Sequence, residues 1–573
     1  MSRLNYPLRC CKQLLLFLSL LMAACSGPSE QYRFTLVHMN DTHSHLEPVA
    51  VNLSIKGETV TTQLGGFARL KTAIDQMRAE DRELLLLHGG DAVQGTLYFT
   101  LFNGTLEYDF LSQLGLDAMT FGNHEFDRGV AAIPAWIKRS SFPWLSANID
   151  FSAEPAIAPL VKPYLIKEIH GEKIAIIGVT TETTPQTTLQ VGKVVFNDAA
   201  ESVRKQVKVL EAQGINKIIV LSHLGYQQDK ELVLKVAGID IVVGGHSHTL
   251  MADEARLSGI GLVPETPYPT ELKGADGKRV LVLQAWQWGH ILGRLQAAFT
   301  ADGEVVSFSQ RPLIPAGSSF TKNDQPVQVD TAAYQEVTAA LERTGIVRIV
   351  AEDPQMAALL APYAGQVADY RSVSIATTVD DLVRGLNSGP GPLAADSMLA
   401  AVPNAQMAIM NYGGVRRDLL RGSISAGDLL EVMPFANTLV LVDLTGAELK
   451  QALEDAVEFL RIKFGPNEAT MPYVAGLRVQ LQLSAPKGKR VALLQARSGD
   501  GSFKPVDPAA VYRVVVNTFV AEGGDGFGLI KTASGFKSDT GIIDSDALRD
   551  YLKSVGTIRK PVEQGIILLP AHN

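Results

Sequence analysis

Between Arg33 and about Pro315, short aliphatic runs alternate with stretches in which apolar residues recur every three or four positions. Phe34-Thr35-Leu36-Val37 reads as a strand, Phe67, Leu70, Ile74 and Met77 as one face of a helix, and Leu84 to Leu87 as a second strand. Lys173 to Val179, Ile218 to Leu221 and Ile241 to Val243 are further strand patterns, and Val203, Val207 and Leu210 mark a helix face between the first two. This alternation predicts an α/β fold of sheets covered by helices. Such folds build their ligand sites at the carboxyl ends of strands.

From Ala316 to Asp330 the chain is rich in Ser, Lys, Asn, Asp, Gln and Pro, and reads as a loop. Tyr334, Val337 and Leu341 then predict one helix, and Met356 to Tyr363 another, within an interdomain connection over 331–368. A second α/β domain follows over 369–573. Its signals are a strand over Thr438 to Val442, a helix carrying Leu449, Leu453, Val457 and Leu460 on one face, and a strand over Tyr512 to Val516. At 573 residues the chain is too long for one ordinary domain. It shows no internal repeat.

The first 25 residues read as a targeting signal. Arg3, Arg9 and Lys12 precede a nine-residue, largely apolar core from Leu14 to Met22, too short to span a bilayer as a mature helix. Leu21-Met22-Ala23-Ala24-Cys25 resembles a bacterial lipoprotein cleavage box, which makes Cys25 the lipid-bearing first residue of the mature chain; the alternative is an ordinary signal peptide cut nearby. The three cysteines are Cys10, Cys11 and Cys25, so the remaining 548 residues (573 − 25) form no disulfide. The whole body after Cys25, beginning with a first domain of residues 26–330, is expected to be exported and tethered at a periplasmic or cell-surface membrane through Cys25 alone. Ser26, in place of aspartate, points to the outer membrane. Net charge is −8, with 46% apolar and 20% charged residues. That balance gives no reason to expect a nucleic acid polymer as partner. A monomer or weak dimer is expected.

Five short segments place metal-binding side chains where apolar runs end: Asn40-Asp41-Thr42-His43, Gly89-Gly90-Asp91, Gly122-Asn123-His124-Glu125-Phe126-Asp127, Ser222-His223 and Gly245-His246-Ser247-His248. Carboxylate and imidazole donors suit a divalent ion of intermediate hardness such as Zn²⁺, Mn²⁺ or Co²⁺. Asp91 alone would be read as a helix N-cap, and Asp-x-His alone as a loop. In this order and number they read as a two-metal hydrolase site. Asp127 can accept the second ring hydrogen of His124, an orienting arrangement for acid–base work.

The set resembles the calcineurin-like metallophosphatases and, more narrowly, the bacterial periplasmic 5′-nucleotidase / UDP-sugar hydrolase family, which animal ecto-5′-nucleotidase shares. The resemblance implies an N-terminal metallophosphatase sandwich of two β-sheets flanked by helices, followed by a C-terminal α/β substrate domain. It implies one ion held by Asp41, His43, Asp91 and His248, and a second held by Asp91, Asn123, His223 and His246. Bacterial relatives can carry glutamine where this chain has His248. His124 would stabilise phosphoryl charge or protonate the leaving oxygen, with Asp127 fixing its tautomer.

Three segments of the second domain match the same family. Asn411-Tyr412-Gly413-Gly414-Val415-Arg416 resembles its glycine-rich turn, with Asn411 and Arg416 on the nucleoside and its phosphate or ribose. Pro434-Phe435-Ala436-Asn437 follows, with Phe435 nineteen residues after Arg416 (435 − 416). Phe519 then precedes Gly523-Gly524-Asp525-Gly526 at the family's spacing. The resemblance puts a nucleobase between Phe435 and Phe519 and the ribose hydroxyls on Asp525, with Asn437 and Arg384 as further contacts. Stacking of this kind tolerates any base and contributes about 1–3 kcal/mol per base. The expected activity is two-metal hydrolysis of nucleoside 5′-monophosphates, extending to pyrophosphates such as UDP-sugars, NAD and ATP, for extracytoplasmic salvage. A 2′,3′-cyclic-nucleotide phosphodiesterase/3′-nucleotidase is the enzymatic alternative, and a non-catalytic nucleotide-capturing lipoprotein the alternative of another class. No role attaches to His38, His45, His88, His170 or His290; His45 and His88 adjoin the metal motifs.

Overall fold

The computed structural model describes residues 32–187, 191–323, 325–435, 437–464, 470–561 and 565–570. The targeting segment and Cys25 lie outside the described residues.

Two sheets form the N-terminal half. One has seven strands in the order Val305–Gln310, Gly293–Phe299, Tyr32–Met39, Leu85–His88, Ala118–Thr120, Trp144–Leu145 and Val161–Lys162. The other runs Thr270–Lys273, Arg279–Leu283, Ile241–Val243, Ile218–His223, Glu172–Thr180 and Tyr164–Ile169. Side-chain alternation decides which layer each residue joins. Leu85 and Leu87 enter the core between the sheets, with Ile176, Leu221 and Val243 of the facing sheet. Leu86, one step along, turns outward under Leu70, Ile74 and Met77 of the helix Phe67–Glu80. On the far side, Ile177 and Val220 pack beneath Val203, Val207 and Leu210. The result is helix, sheet, sheet, helix.

The centre of each sheet is parallel: Tyr32–Met39 with Leu85–His88 and Ala118–Thr120, and Glu172–Thr180 with Ile218–His223 and Ile241–Val243. Their carboxyl ends therefore open on the same edge of the sandwich.

The stretch expected to be a loop from Ala316 instead opens as a strand, Ile314–Lys322, paired with Glu58–Leu64. Its Ser, Thr and Lys residues disguised it because part of its length faces solvent, and because the register shifts between Ala316 and Phe320. Helices Ala332–Arg343 and Pro354–Arg371 follow. The second buries Met356, Leu360 and Val367 in the N-terminal helix layer, while Tyr370 near its end packs against the C-terminal core.

The C-terminal half centres on the sheet Tyr473–Ala475, Met407–Met410, Val511–Asn517, Thr438–Thr445 and Lys537–Ile543. Helices Pro390–Ala401 and Asp544–Val555 cover one face and Gly446–Phe464 the other. Among the described residues no helix is long and apolar enough to cross a membrane.

Gly178, within Glu172–Thr180, has no room for a Cβ, which would run into the Leu145 carbonyl of the other sheet. Gly178→Ala is expected to destabilise the N-terminal domain by about 1–3 kcal/mol, read as a lowered midpoint in denaturant. An unchanged midpoint would show that the sheets can part at no cost.

Candidate active site

All five motifs meet at the shared strand edge. Asp41 and His43 follow Tyr32–Met39, Asp91 follows Leu85–His88, Asn123 and His124 follow Ala118–Thr120, His223 ends its own strand, and His246 and His248 follow Ile241–Val243. Asp41, His43 and His248 have ligand atoms within 4.8 Å of one another, as do Asp91, His223 and His246. His43 Nε2 stands 3.0 Å from His248 Nε2 and 3.9 Å from a carboxylate oxygen of both Asp41 and Asp91. His223 Nε2 is 2.9 Å from Asp91 Oδ2. Asp91 thus lies between the two groups.

Two observations test whether this cluster suits metal ions. Asn123 Oδ1 is buried with no hydrogen-bond partner, and such an orphaned atom is costly unless something is meant to bind it. His223 Nδ1 donates to Gly89 O at 2.7 Å and His43 Nδ1 to Gln94 O at 3.1 Å, which leaves each Nε2 lone pair facing the cluster. The donor set fits two divalent ions.

His124 is separate from both groups. Its Nδ1 bonds Asp127 Oδ2 at 2.7 Å, and its backbone N–H donates to Asp91 Oδ1 at 2.9 Å. Burial acts to lower its pKa, but the Asp127 and Asp91 carboxylates outweigh it and hold the imidazole well above its ordinary value. His246 has lost more to desolvation than it gains from Asp91, and falls to about 4, the neutral form a ligand needs.

Sequence reasoning assigned Glu125 no role. Its carboxylate is buried and accepts the backbone N–H groups of Asp91 at 3.0 Å, Ala92 at 2.8 Å and Gly122 at 2.6 Å, plus the Tyr108 hydroxyl at 3.2 Å. It clamps the Asp91 loop to the Asn123 loop. Its place three residues after Gly122 was the available clue, since a short carboxylate there can turn back on the preceding loop.

The second domain faces this edge. A cavity of about 150 Å³ is lined by His43, His124, His246 and His248 on one side and by Phe435, Asn437, Thr438 and Asp539 on the other. Gly541 packs directly on the His124 ring, where any Cβ would collide with it. Asp539 and Gly541 went unnoticed because Ser-Asp-Thr-Gly reads as a turn. Phe435 and Phe519 remain 49% and 45% exposed. Arg416 lies over the Phe435 ring at 5.7 Å. Asn411 and Asp525 are buried side by side, Nδ2 donating to Oδ2 at 2.8 Å. Arg384 stacks on Tyr412 at 4.6 Å, with its Nε buried and unpartnered. Arg384, Asn411, Asp525 and Phe519 do not line the cavity over the metal ligands. His88 Nε2 pairs with Thr42 Oγ1 at 3.1 Å and its Nδ1 accepts the Gly90 N–H at 3.2 Å, whereas His38 Nε2 pairs with the Tyr268 hydroxyl at 2.9 Å and its buried Nδ1 has no partner.

Paired carboxylate–imidazole groups at the open edge of a two-sheet sandwich define a metal-dependent phosphoesterase. Residues 34–250 match the calcineurin-like phosphoesterase family, and residues 374–532 match the 5′-nucleotidase C-terminal domain. A probable 5′-nucleotidase of Treponema pallidum is 33% identical over 562 residues, 94% of each chain. Among solved structures, Haemophilus influenzae NAD nucleotidase superposes with a TM-score of 0.80 at 27% identity, covering 94% of this chain and 99% of that one. A 5′-nucleotidase precursor from Thermus thermophilus is 38% identical at the same coverage, with a TM-score of 0.59. The chain belongs to the 5′-nucleotidase family of calcineurin-like phosphoesterases, metal-dependent hydrolases of nucleotides that use two divalent ions.

Glu125→Gln keeps the shape of the clamp but turns an N–H₂ toward backbone N–H groups that need an acceptor. We expect Mn²⁺ affinity to fall about 10–100-fold, measured by calorimetric titration, and the thermal midpoint to fall as well, since a buried N–H left without its acceptor costs about 1–3 kcal/mol. Undiminished affinity would remove Glu125 from the support of the site.

Proposed function

We propose that the protein releases phosphate from nucleoside 5′-monophosphates and also splits nucleotide pyrophosphates such as UDP-sugars and NAD, as an exported, lipid-anchored salvage enzyme. The observation that carries this reading is the cavity in which His43, His124, His246 and His248 face Phe435 and Asn437 of the other domain. Phosphate and base then have seats on opposite walls.

In this reading Asp41, His43, Asp91 and His248 hold one ion, and Asp91, Asn123, His223 and His246 the other. Zn²⁺, Mn²⁺ or Co²⁺ bound there supplies an activated water and neutralises charge on the phosphoryl oxygens. His124, protonated against Asp127, stabilises that charge and gives its Nε2 proton to the leaving oxygen. Phe435 and Phe519 take the base, Asp525 the ribose, and Arg384, Asn411, Arg416 and Asn437 the remaining polar groups. A capture protein would leave the His124–Asp127 pair without work.

Phe519 and Asp525 lie outside the cavity, so a bound nucleotide requires the C-terminal domain to turn. A 38% identical relative that superposes at only 0.59 over nearly its whole length is what two domains docked at another angle would give. Because Pro354–Arg371 packs on the N-terminal core, we place the hinge at its end, at Ser372 and Val373, rather than within 331–368.

The test follows phosphate release from AMP, UDP-glucose and NAD by the Mn²⁺-loaded body from Ser26. EDTA should abolish it. His124→Ala should lower kcat about 10²–10⁴-fold while metal content stays the same. Hydrolysis indifferent to EDTA, or to the loss of His124, would sink the reading. Separately, a labelled acyl chain should be incorporated by the full chain and not by Cys25→Ser; equal labelling would refute the anchor.

A further inference from the structure

The metal ligands leave the turn Trp286-Gln287-Trp288 unexplained. Both tryptophans adopt left-handed backbone, at φ 55° and 58°, a conformation that glycine enters freely and bulky side chains do not. The backbone of the turn has a purpose. Trp286 O accepts Asn40 Nδ2 at 2.7 Å, and Trp288 N donates to Asp41 O at 2.7 Å, so the turn brackets the first metal motif. On the turn's side those contacts use main-chain atoms only, and glycine at position 288 would make its bond with less strain. The indole therefore has to be explained by what its own ring does.

That ring is half-buried and stacked on His45, with centroids 4.4 Å apart and 18° between planes. Together with Gln287 it lines the cavity above His43, His124 and His248. It stands on the metal domain, whereas the half-exposed Phe435 belongs to the other. The cleft thus carries aromatic surface on both walls, and a nucleoside monophosphate needs only one.

We propose that Trp288 is a specificity-determining residue: its indole receives the planar ring at the far end of a dinucleotide pyrophosphate. This rests on the nucleotidase reading above, with the first base on the C-terminal domain. In such a substrate the attacked phosphorus lies at the metal ligands, and its remaining ester substituent must extend over the metal domain, where Trp288 stands. A water oxygen bonds to that phosphorus and the P–O–P bridge breaks at the same atom. A nucleoside monophosphate leaves with the bridging oxygen, the other half becomes a second phosphomonoester, and the protons of the water pass to products and solvent. A nucleoside monophosphate carries no such substituent and draws nothing from the indole.

The experiment compares wild type, Trp288→Ala and Trp288→Phe. Mn²⁺-loaded enzyme is assayed on AMP and NAD, and NAD binding to metal-free protein is followed by tryptophan emission. The ratio of kcat/KM for NAD to that for AMP should fall at least tenfold in Trp288→Ala, mainly through KM for NAD. Trp288→Phe should recover it to within about threefold. Quenching of emission by NAD should be present in wild type and lost in both variants. Equal losses on both substrates would make Trp288 a brace for the Asp41 loop and overturn the proposal, as would an unchanged ratio. Wild type active on AMP but not on NAD would overturn it too. Wild type active on neither would refute the nucleotidase reading, and the quenching would then decide this proposal alone.

Discussion

A pair of buried carboxylates, Asp91 and Glu125, holds the working edge of this molecule together. Glu125 binds the backbone of three residues from two loops, and Asp91 reaches from one of those loops to His223 of the opposite sheet and to the backbone of His124. Neither arrangement tolerates slack. Gly122 has no side chain because a Cβ there would run into the Asp91 carboxylate, and Gly90 presses on His223 and Gly122. Two like charges so close, in so little water, repel each other. The N–H groups aimed at Glu125 and the imidazoles around Asp91 offset that repulsion, and two divalent ions would complete the balance. Parallel strands feed the edge, helices cover the sheets behind it, and the whole sandwich keeps these loops in reach of one another.

Much of this was legible in the sequence because strand ends and metal-binding side chains coincide. Leu84 to Leu87 followed by Gly-Gly-Asp announced a buried strand and a tight turn, and both are present. The paired sheets need more than periodicity: nothing in the apolar runs says which strands share a sheet, and the family resemblance supplied the sandwich. The strand Ile314–Lys322 escaped because a partly solvated strand carries Ser, Thr and Lys on its open positions. Residues that act across the domain boundary escaped for another reason. Asp539, Gly541 and Trp288 have unremarkable sequence neighbours, and only the approach of the two domains brings the first two to the metal site.

Five residues at this edge, Asp41, His43, Asp91, His246 and His248, have left-handed backbone. Each such residue costs about 1–2 kcal/mol, and they gather where function is expected to hold strain. Parallel strands release their chains in one direction, away from the sheet, whereas ligands must turn back to a common point. A left-handed residue makes that reversal within one or two positions. Glycine takes an adjoining place at Gly90, and the ligand residues themselves take the rest because glycine has no donor to offer.

The same reasoning explains why the cavity divides its labour between domains. Strand ends of the sandwich supply rigid, charged groups suited to a phosphoryl centre, but they are crowded: His43, His248 and Asp41 already lie within 4.8 Å of one another. No wall of that cluster is free for a purine or pyrimidine. Under the proposed reading the first base is taken by Phe435 and Phe519 of the second domain, which are half-exposed. Gly541 lies against His124 in this arrangement, where a Cβ would collide with the imidazole. Under the proposed reading, the domain that carries the base would have to turn before Phe519 and Asp525 reach the metal edge, and substrate identity would be tied to that movement.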